Sequence, residues 1–356
     1  MKAAALLIIL LSNDGRWLSG TEGQMVMSWN THGASVPCEL IWELKLGDTH
    51  LGGDRVALGV GALPTVRITC PDVRVRAVLQ WNWRLLRKQD GQEIDKGAEK
   101  IVAYPADLTA GWVDLLRGKR IVVVDKATGI PAILEHAKIK HLRLDDASKL
   151  QMAVADIVLI GPDILGEHLF EQNPLQGLLG AGVAVAVFRQ THCEHVLGLP
   201  VVHRLRPDRF VWPTEDSLFR GLNEEDIQSW ERSWVLGELK ELHALRLPSP
   251  EISTGLVIWP ARFQDETPAV ANLPPAAVDS LLVSRSGGKG GPGRLVLCQM
   301  PLGDWQSDPR SQIFLGNVLD VLISPPFPRV IPAPQSPTPA PVRPRSTITI
   351  SPGDSP

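Results

Sequence analysis

The segment VRVRAVLQWNWRLL, residues 73–86, alternates apolar and polar side chains with a period of two. Val73, Val75, Ala77, Leu79, Trp81, Trp83 and Leu85 fall on one side, and Arg74, Arg76, Gln80, Asn82 and Arg84 on the other. Successive side chains of a strand point to opposite faces, so this pattern demands a β-strand with one buried face and excludes a helix. ELIWELKLG repeats the alternation, with Leu40, Trp42, Leu44 and Leu46 inward and Glu43 and Lys45 outward. RVALGV does the same with Val56, Leu58 and Val60. The opening MKAAALLIILLSNDGRW has the look of a secretory leader, but no small-x-small cleavage site follows, and the competing reading is a first strand closed by an N-D-G turn. Short alternating strands separated by Gly, Asp and Pro turns predict an antiparallel, immunoglobulin-like β-sandwich over residues 1–108.

The rhythm changes near YPADLTAGW, residues 104–112. RIVVVD reads as a strand buried on both faces, followed by the helical AILEHAKI. HLRL is a second strand and DDASKLQMAV a helix, DIVLIG a third strand and DILGEHLFEQNPLQGLLGAG mostly helix, then VAVAVF a fourth strand. Strand, helix and strand in that order make parallel crossovers, hence a doubly wound α/β sheet. Beyond residue 205, NEEDIQSWERSW reads as a surface helix opened by Asn223, with acidic residues in its first turn. SLLVSR and GRLVLCQM form a hairpin across SGGKGGPG, and SDPRSQIFLGNVLDVLIS a last helix capped by Asp308 with Pro309 at its first position. Leu315, Val318, Leu319 and Leu322 are its apolar stripe. From Pro325 onward prolines fill 11 of 32 positions and no periodicity survives, which predicts a disordered tail over residues 326–356.

A chain of 356 residues exceeds one typical domain, and 44% apolar content supports two cores. The net charge of −3 offers no electrostatic case for nucleic acid. No apolar run reaches the roughly 20 residues needed to span a bilayer, so no membrane span is expected. The compartment stays open between cytoplasm and secretion. Cys38, Cys70, Cys193 and Cys298 are widely spaced with no C-x-x-C pair, which disfavours a zinc ribbon or a disulfide framework. Cys38 and Cys70 read as two buried free thiols, with a Cys38–Cys70 bridge as the alternative.

Each suggestive cluster has a plainer reading. In VAVAVFRQTHCEHVLG, Cys193 lies five residues beyond the strand without the flanking glycines of a nucleophile elbow. His192, Cys193, Glu194 and His195 are too close in sequence to converge on one ion, so no metal site is expected. SGGKGGPGR joins two strands and lacks the phosphate-loop spacing, and IVVVDKATG lacks G-x-G-x-x-G, so no cofactor is implied. Glu43, Glu224, Glu225 and Asp226 read as solvated faces and helix-dipole partners rather than a glycosidic acid pair. Among eleven tryptophans, Trp42, Trp81 and Trp83 hold inward positions, leaving Trp17 and Trp305 as the exposed candidates for stacking on a sugar. Open α/β sheets place ligands beyond the carboxyl ends of their strands. Here that rim comprises Asp125, Lys126, Gly161, Asp163, Arg189, Gln190 and His192.

DSLFRGLNEEDIQSW, followed by GRLVLCQMPLG and DPRSQIFLGNVLDVL, resembles a module of large bacterial β-galactosidase-like proteins of the family 2 glycoside hydrolase group. LLSNDGRWLSGTEGQMVMSW and LIWELKLG resemble the sandwich preceding that module, so the resemblance covers about residues 5–325. It implies an immunoglobulin-like sandwich over 1–108 and a flavodoxin-like, class I glutamine-amidotransferase-like doubly wound domain over 109–325. Asp216 stands where the family pattern has histidine, the cysteine elbow is missing, and no eightfold barrel pattern exists, so no catalytic residue carries over. The resemblance therefore implies a non-catalytic accessory module for assembly or carbohydrate contact. Its partners would be a carbohydrate, a catalytic glycoside-hydrolase chain or further copies of itself. The alternatives are a hydrolase or amidotransferase-like enzyme acting at the α/β rim, through Cys193 or Asp125, and a structural oligomerisation module.

Overall fold

The computed structural model describes residues 7–11, 15–29, 36–59, 65–126, 129–152, 154–166, 173–205, 217–228, 241–248, 257–260, 278–288, 291–300, 302 and 305–324. Among these the chain is β-rich, with nineteen strands in four sheets and five α-helices, and residues 1–324 form one compact unit. The Pro-rich tail, residues 325–356, lies outside the described residues.

The first eight strands are β1 (Leu7–Leu11), β2 (Arg16–Leu18), β3 (Glu22–Trp29), β4 (Cys38–Leu46), β5 (Thr49–Leu58), β6 (Thr65–Thr69), β7 (Ala77–Arg87) and β8 (Glu93–Tyr104). They form two sheets, ordered β1-β3-β6 and β2-β8-β7-β4-β5, antiparallel except that β2 runs parallel to β8. A shared core joins them, with Val66 and Ile68 of β6 packed among Trp17, Leu40, Leu44, Leu79, Trp81, Leu85 and Ile101. Within the opening apolar run, Leu7–Leu11 form a strand, β1, paired along its whole length with β3. The alternation in β7 holds from Leu79 to Leu85, each fully buried aliphatic or aromatic side chain contributing about 2–3 kcal/mol. It fails upstream: β7 begins only at Ala77, and Val75 is 71% exposed. Leu46, the last residue of β4 before the turn at Gly47, is also exposed. Val60 lies outside the described residues.

A short helix, α1 (Trp112–Leu115), leads into β9 (Ile121–Val124), α2 (Gly129–His136), β10 (Leu142–Leu144), β11 (Ile157–Ile160), α3 (Asn173–Gly180) and β12 (Ala184–Phe188). After these come β13 (His195–Val196), β14 (Leu199–Leu205), α4 (Glu224–Gln228), β15 (Glu241–Leu247), β16 (Val257–Pro260) and β17 (Val278–Ser280). The last elements are β18 (Leu282–Gly288), β19 (Gly291–Cys298) and α5 (Pro309–Ile323). One sheet runs β10-β9-β11-β12-β19-β18, parallel through β19, with β18 returning antiparallel as the expected hairpin. Its strands are apolar on both faces because both are covered. Ile121, Val123, Ile157, Leu159, Ala186 and Phe188 face a core shared with α2 and α5. Val122, Val124, Val158, Ile160, Val185 and Val187 face Leu150, Leu175 and the β15 residues Leu245 and Leu247.

Three expectations shift. DDASKLQMAV forms a 3-10 helix, Ala147–Met152, where an α-helix was expected. Six residues return the chain past β9 toward β11, and a 3-10 turn rises about 2.0 Å per residue against about 1.5 Å. A second five-stranded sheet, β13-β14-β15-β17-β16, begins at His195 and extends into the region beyond residue 205, where no clear rhythm is legible in the sequence. It is tied internally by buried Asp279, which accepts from Arg204 Nε at 2.7 Å and Arg246 Nε at 2.9 Å. The acidic first turn of α4 is not wholly solvated. Asp226 is fully buried, its backbone N–H donating to Asn223 Oδ1 at 2.8 Å and its carboxylate meeting Arg16 and Arg76 at 3.5 Å each. Those arginines belong to β2 and to the segment just before β7, so this carboxylate serves as a clasp between the first eight strands and α4. Leu18, Val102 and Tyr104 with Leu108 and Ile313 make a small apolar cluster between the sandwich and α5, and Lys100 pairs with Glu225.

Candidate functional site

Strand order brings the expected rim together, since β9, β11 and β12 are neighbours and end on the same edge. Their polar groups are largely engaged by the fold itself. Gln190 is buried and uses both ends of its amide: Oε1 accepts from the Ile164 and Leu165 N–H groups at 3.0 and 2.9 Å, and Nε2 donates to the carbonyl of Gly161 at 2.9 Å. Its backbone N–H donates to Gln299 Oε1 at 2.8 Å. Asp125 is also buried, and its Oδ2 accepts from the Ile130 N–H at 3.3 Å in the first turn of α2. Gly161 is required by this approach, because a Cβ there would stand 2.7 Å from the Asp125 carboxyl carbon. Asp163 sits in the left-handed region at φ 53° and accepts from Thr191 N and Oγ1 at 2.6 and 2.8 Å. Lys126 and His192 are exposed and Arg189 is half-buried.

Two rim residues escaped the sequence reading. Gln299 directly follows β19, and Gln190 comes two residues after β12, so a glutamine just past a buried strand is the signal available in the sequence. Arg143, from β10, donates to the carbonyls of Asp125 and Lys126 at 3.4 Å. The two tryptophans expected to be exposed are buried. Trp17 is 2% exposed inside the sandwich, lying so close to Gly23 that a Cβ there would sit 2.1 Å from the indole. Trp305 is 5% exposed and packs edge-on against Phe188 with centroids 5.1 Å apart, over the end of β12. Neither presents a face to a sugar.

Cys193 is buried in the core beneath the rim, its thiol donating to the carbonyls of Leu165 and Gly166 at 3.2 and 3.3 Å. All four cysteines are free and buried, Cys38 and Cys70 included, and burial pushes the Cys298 thiol at the end of β19 up to about 12. Among the described residues no group of three or more His, Cys, Asp or Glu is arranged to hold a metal ion. Glu43 lies outward as expected, lowered below the usual carboxylate range chiefly by its hydrogen bond from Lys45. Asp216 is outside the described residues.

At the opposite end of the parallel sheet, where β9, β11 and β12 begin, lies a cleft of about 370 Å³. Lys119, Arg120, Asp156, Arg294, the Ala181–Val183 turn and the end of α5 line it. Arg120 holds Asp156 in a two-point pair, Nε to Oδ2 at 3.0 Å and Nη2 to Oδ1 at 2.8 Å, and its backbone N–H adds a third bond at 2.8 Å. These bonds draw the Asp156 carboxyl down to about 2. Arg294 donates to the carbonyls of Leu322 at 2.8 Å and Val321 at 3.3 Å in the last turn of α5.

No known protein family matches the chain, and no curated protein matches it. Among solved structures it is similar over 30% of its length to a CARDB domain from Pyrococcus furiosus, covering 96% of that chain at 10% identity and a TM-score of 0.21. It is similar over 51% of its length to a β-glucuronidase of Bacteroides uniformis, at 10% identity and a TM-score of 0.20. A β-glucuronidase from glycoside hydrolase family 2 is similar over the same share, at 11% identity and a TM-score of 0.18. The chain spans 33% and 20% of those two enzymes. Likenesses of this size are weak and assign no family.

Proposed function

We propose that this chain is a non-catalytic accessory module of the β-galactosidase-like kind, serving assembly or carbohydrate contact beside a catalytic glycoside-hydrolase barrel. Its architecture in this reading is an immunoglobulin-like sandwich, residues 1–108, and a flavodoxin-like, amidotransferase-related domain, residues 109–325, with the tail 326–356 as an appendage. The two largely antiparallel sheets of the first eight strands, packed over one shared core, support the first. The strand order β10-β9-β11-β12-β19, a 2-1-3-4-5 arrangement, supports the second. One observation carries the functional reading: the buried rim groups Asp125 and Gln190, with Gly161, are used to hold strand ends, loops and the start of α2. Lys126, Asp163, Arg189 and His192 are the expected rim side chains left with surface to offer a ligand or partner.

The test pairs a glycan array with size-exclusion chromatography against a barrel-bearing family 2 chain, alongside turnover assays on amide, ester and glycoside substrates. Binding to glycan or to the barrel chain, without turnover, is the expected result. Absence of both kinds of binding would defeat the proposal, as would turnover that Cys193→Ala abolishes.

A further inference from the structure

The cleft at the start of β9, β11 and β12 carries an imbalance of charge. Three cations line it, and Asp156 is its one carboxylate. Arg120 satisfies that carboxylate with two guanidinium bonds and a backbone bond. Arg294 is bonded only to the neutral carbonyls of Val321 and Leu322, and burial lowers its affinity for its proton. Lys119 is exposed at the mouth, and neither it nor Arg294 has a carboxylate within ion-pairing distance among the described residues. Arg294 spends only its Nη1 on those last-turn carbonyls, the partly negative end of α5 that suits a cation, and its other donors meet no carboxylate among the described residues, so they stay open to an incoming anion. At about 370 Å³ the space falls within the range of small-molecule sites, and its polar lining suits a hydrophilic guest.

We propose that this cleft binds a small multiply charged anion, bearing carboxylate or phosphate groups, between Lys119 and Arg294. Arg120 contributes its remaining donor capacity while keeping Asp156 in place. The guest would join the β9, β11 and β12 starts to the last turn of α5, and so brace the base of the α/β half. This site is separate from the strand-end rim, and it stands or falls independently of the accessory-module reading.

The experiment is calorimetric titration of the full chain with inorganic phosphate, pyrophosphate and citrate, against sodium chloride at matched ionic strength. Saturable binding of a phosphate species or of citrate is expected, weakened about tenfold or more by Lys119→Glu, the scale of one charge-assisted contact. Arg294→Gln should weaken it similarly; because that change also removes bonds to α5, Lys119→Glu, at an exposed position, carries the test if Arg294→Gln fails to fold. Preference for phosphate species or for citrate names the recognised group. A response no different from that to chloride, or saturable binding unchanged by Lys119→Glu, overturns the proposal.

Discussion

Asp156 shows what one residue does at the base of the parallel sheet. Its carboxylate receives Arg120 through side chain and backbone together, and the side-chain hydrogen bond is the main reason its proton affinity falls to about 2. The unfolded carboxylate titrates near 3.9, so the native state holds fewer protons between these values. Its contribution is complete above about pH 4 and is lost as pH falls toward 2. The side chain is 34% exposed, so solvent screening reduces the contribution to about 1 kcal/mol. Urea unfolding of wild type and Asp156→Asn should therefore show a stability gap at pH 6 that narrows by pH 3. A gap constant across that range would show that the pair adds nothing dependent on ionisation.

Among the elements, β19 and α3 place contrary demands on glycine. Gly293 lies so close to the turn after α3 that a Cβ would meet the backbone oxygens of Leu179 and Val183 at 2.6 Å. Backbone atoms cannot swing aside as a side-chain end can, so Gly293→Ala should cost about 1–3 kcal/mol. Gly177, within α3, has open space at the corresponding point, and Gly177→Ala should stabilise by about 0.5–1 kcal/mol. Thermal melts of the two variants should move in opposite directions. The last helix shows how local signals succeed: Asp308 caps α5 by accepting from the Arg310 N–H at 2.9 Å, Pro309 opens it, and Leu315, Val318, Leu319 and Leu322 are buried along it. Asn223 likewise opens α4, although Asp226, three residues on, points into protein rather than water.

Across residues 1–324, the core of the first eight strands meets one of the two cores of the parallel sheet, the one shared with α2 and α5, at a small apolar cluster and at Asp226. The arginines it holds come from β2 and from just before β7, 210 and 150 residues away in the chain. Removing one charge from such a buried group strands the others, at a cost of about 3–5 kcal/mol. Asp226→Asn should lower stability by that order in denaturant and separate the unfolding of the first eight strands from that of the later elements. Helical circular dichroism would follow the later part, since α2, α3 and α5 all lie beyond residue 108, whereas tryptophan fluorescence, with five tryptophans before that point and six after it, would report both parts. Coincident transitions in the variant would show that the apolar cluster alone couples the halves.

Period-two alternation in β4 and β7, unbroken apolar strands at β9, β11 and β12, and the cap and stripe of α5 are written in neighbouring residues. Backbone geometry imposes them at short range, and the amino-acid order by itself was enough to place them. Tertiary structure alone decided that Trp17 and Trp305 turn inward, that Asp226 becomes a clasp, that Asp125 and Gln190 are absorbed into the rim, and that a cationic cleft opens at the sheet's other end. Each of these depends on which distant surface arrives to remove water or supply a partner, and no local pattern encodes that arrival.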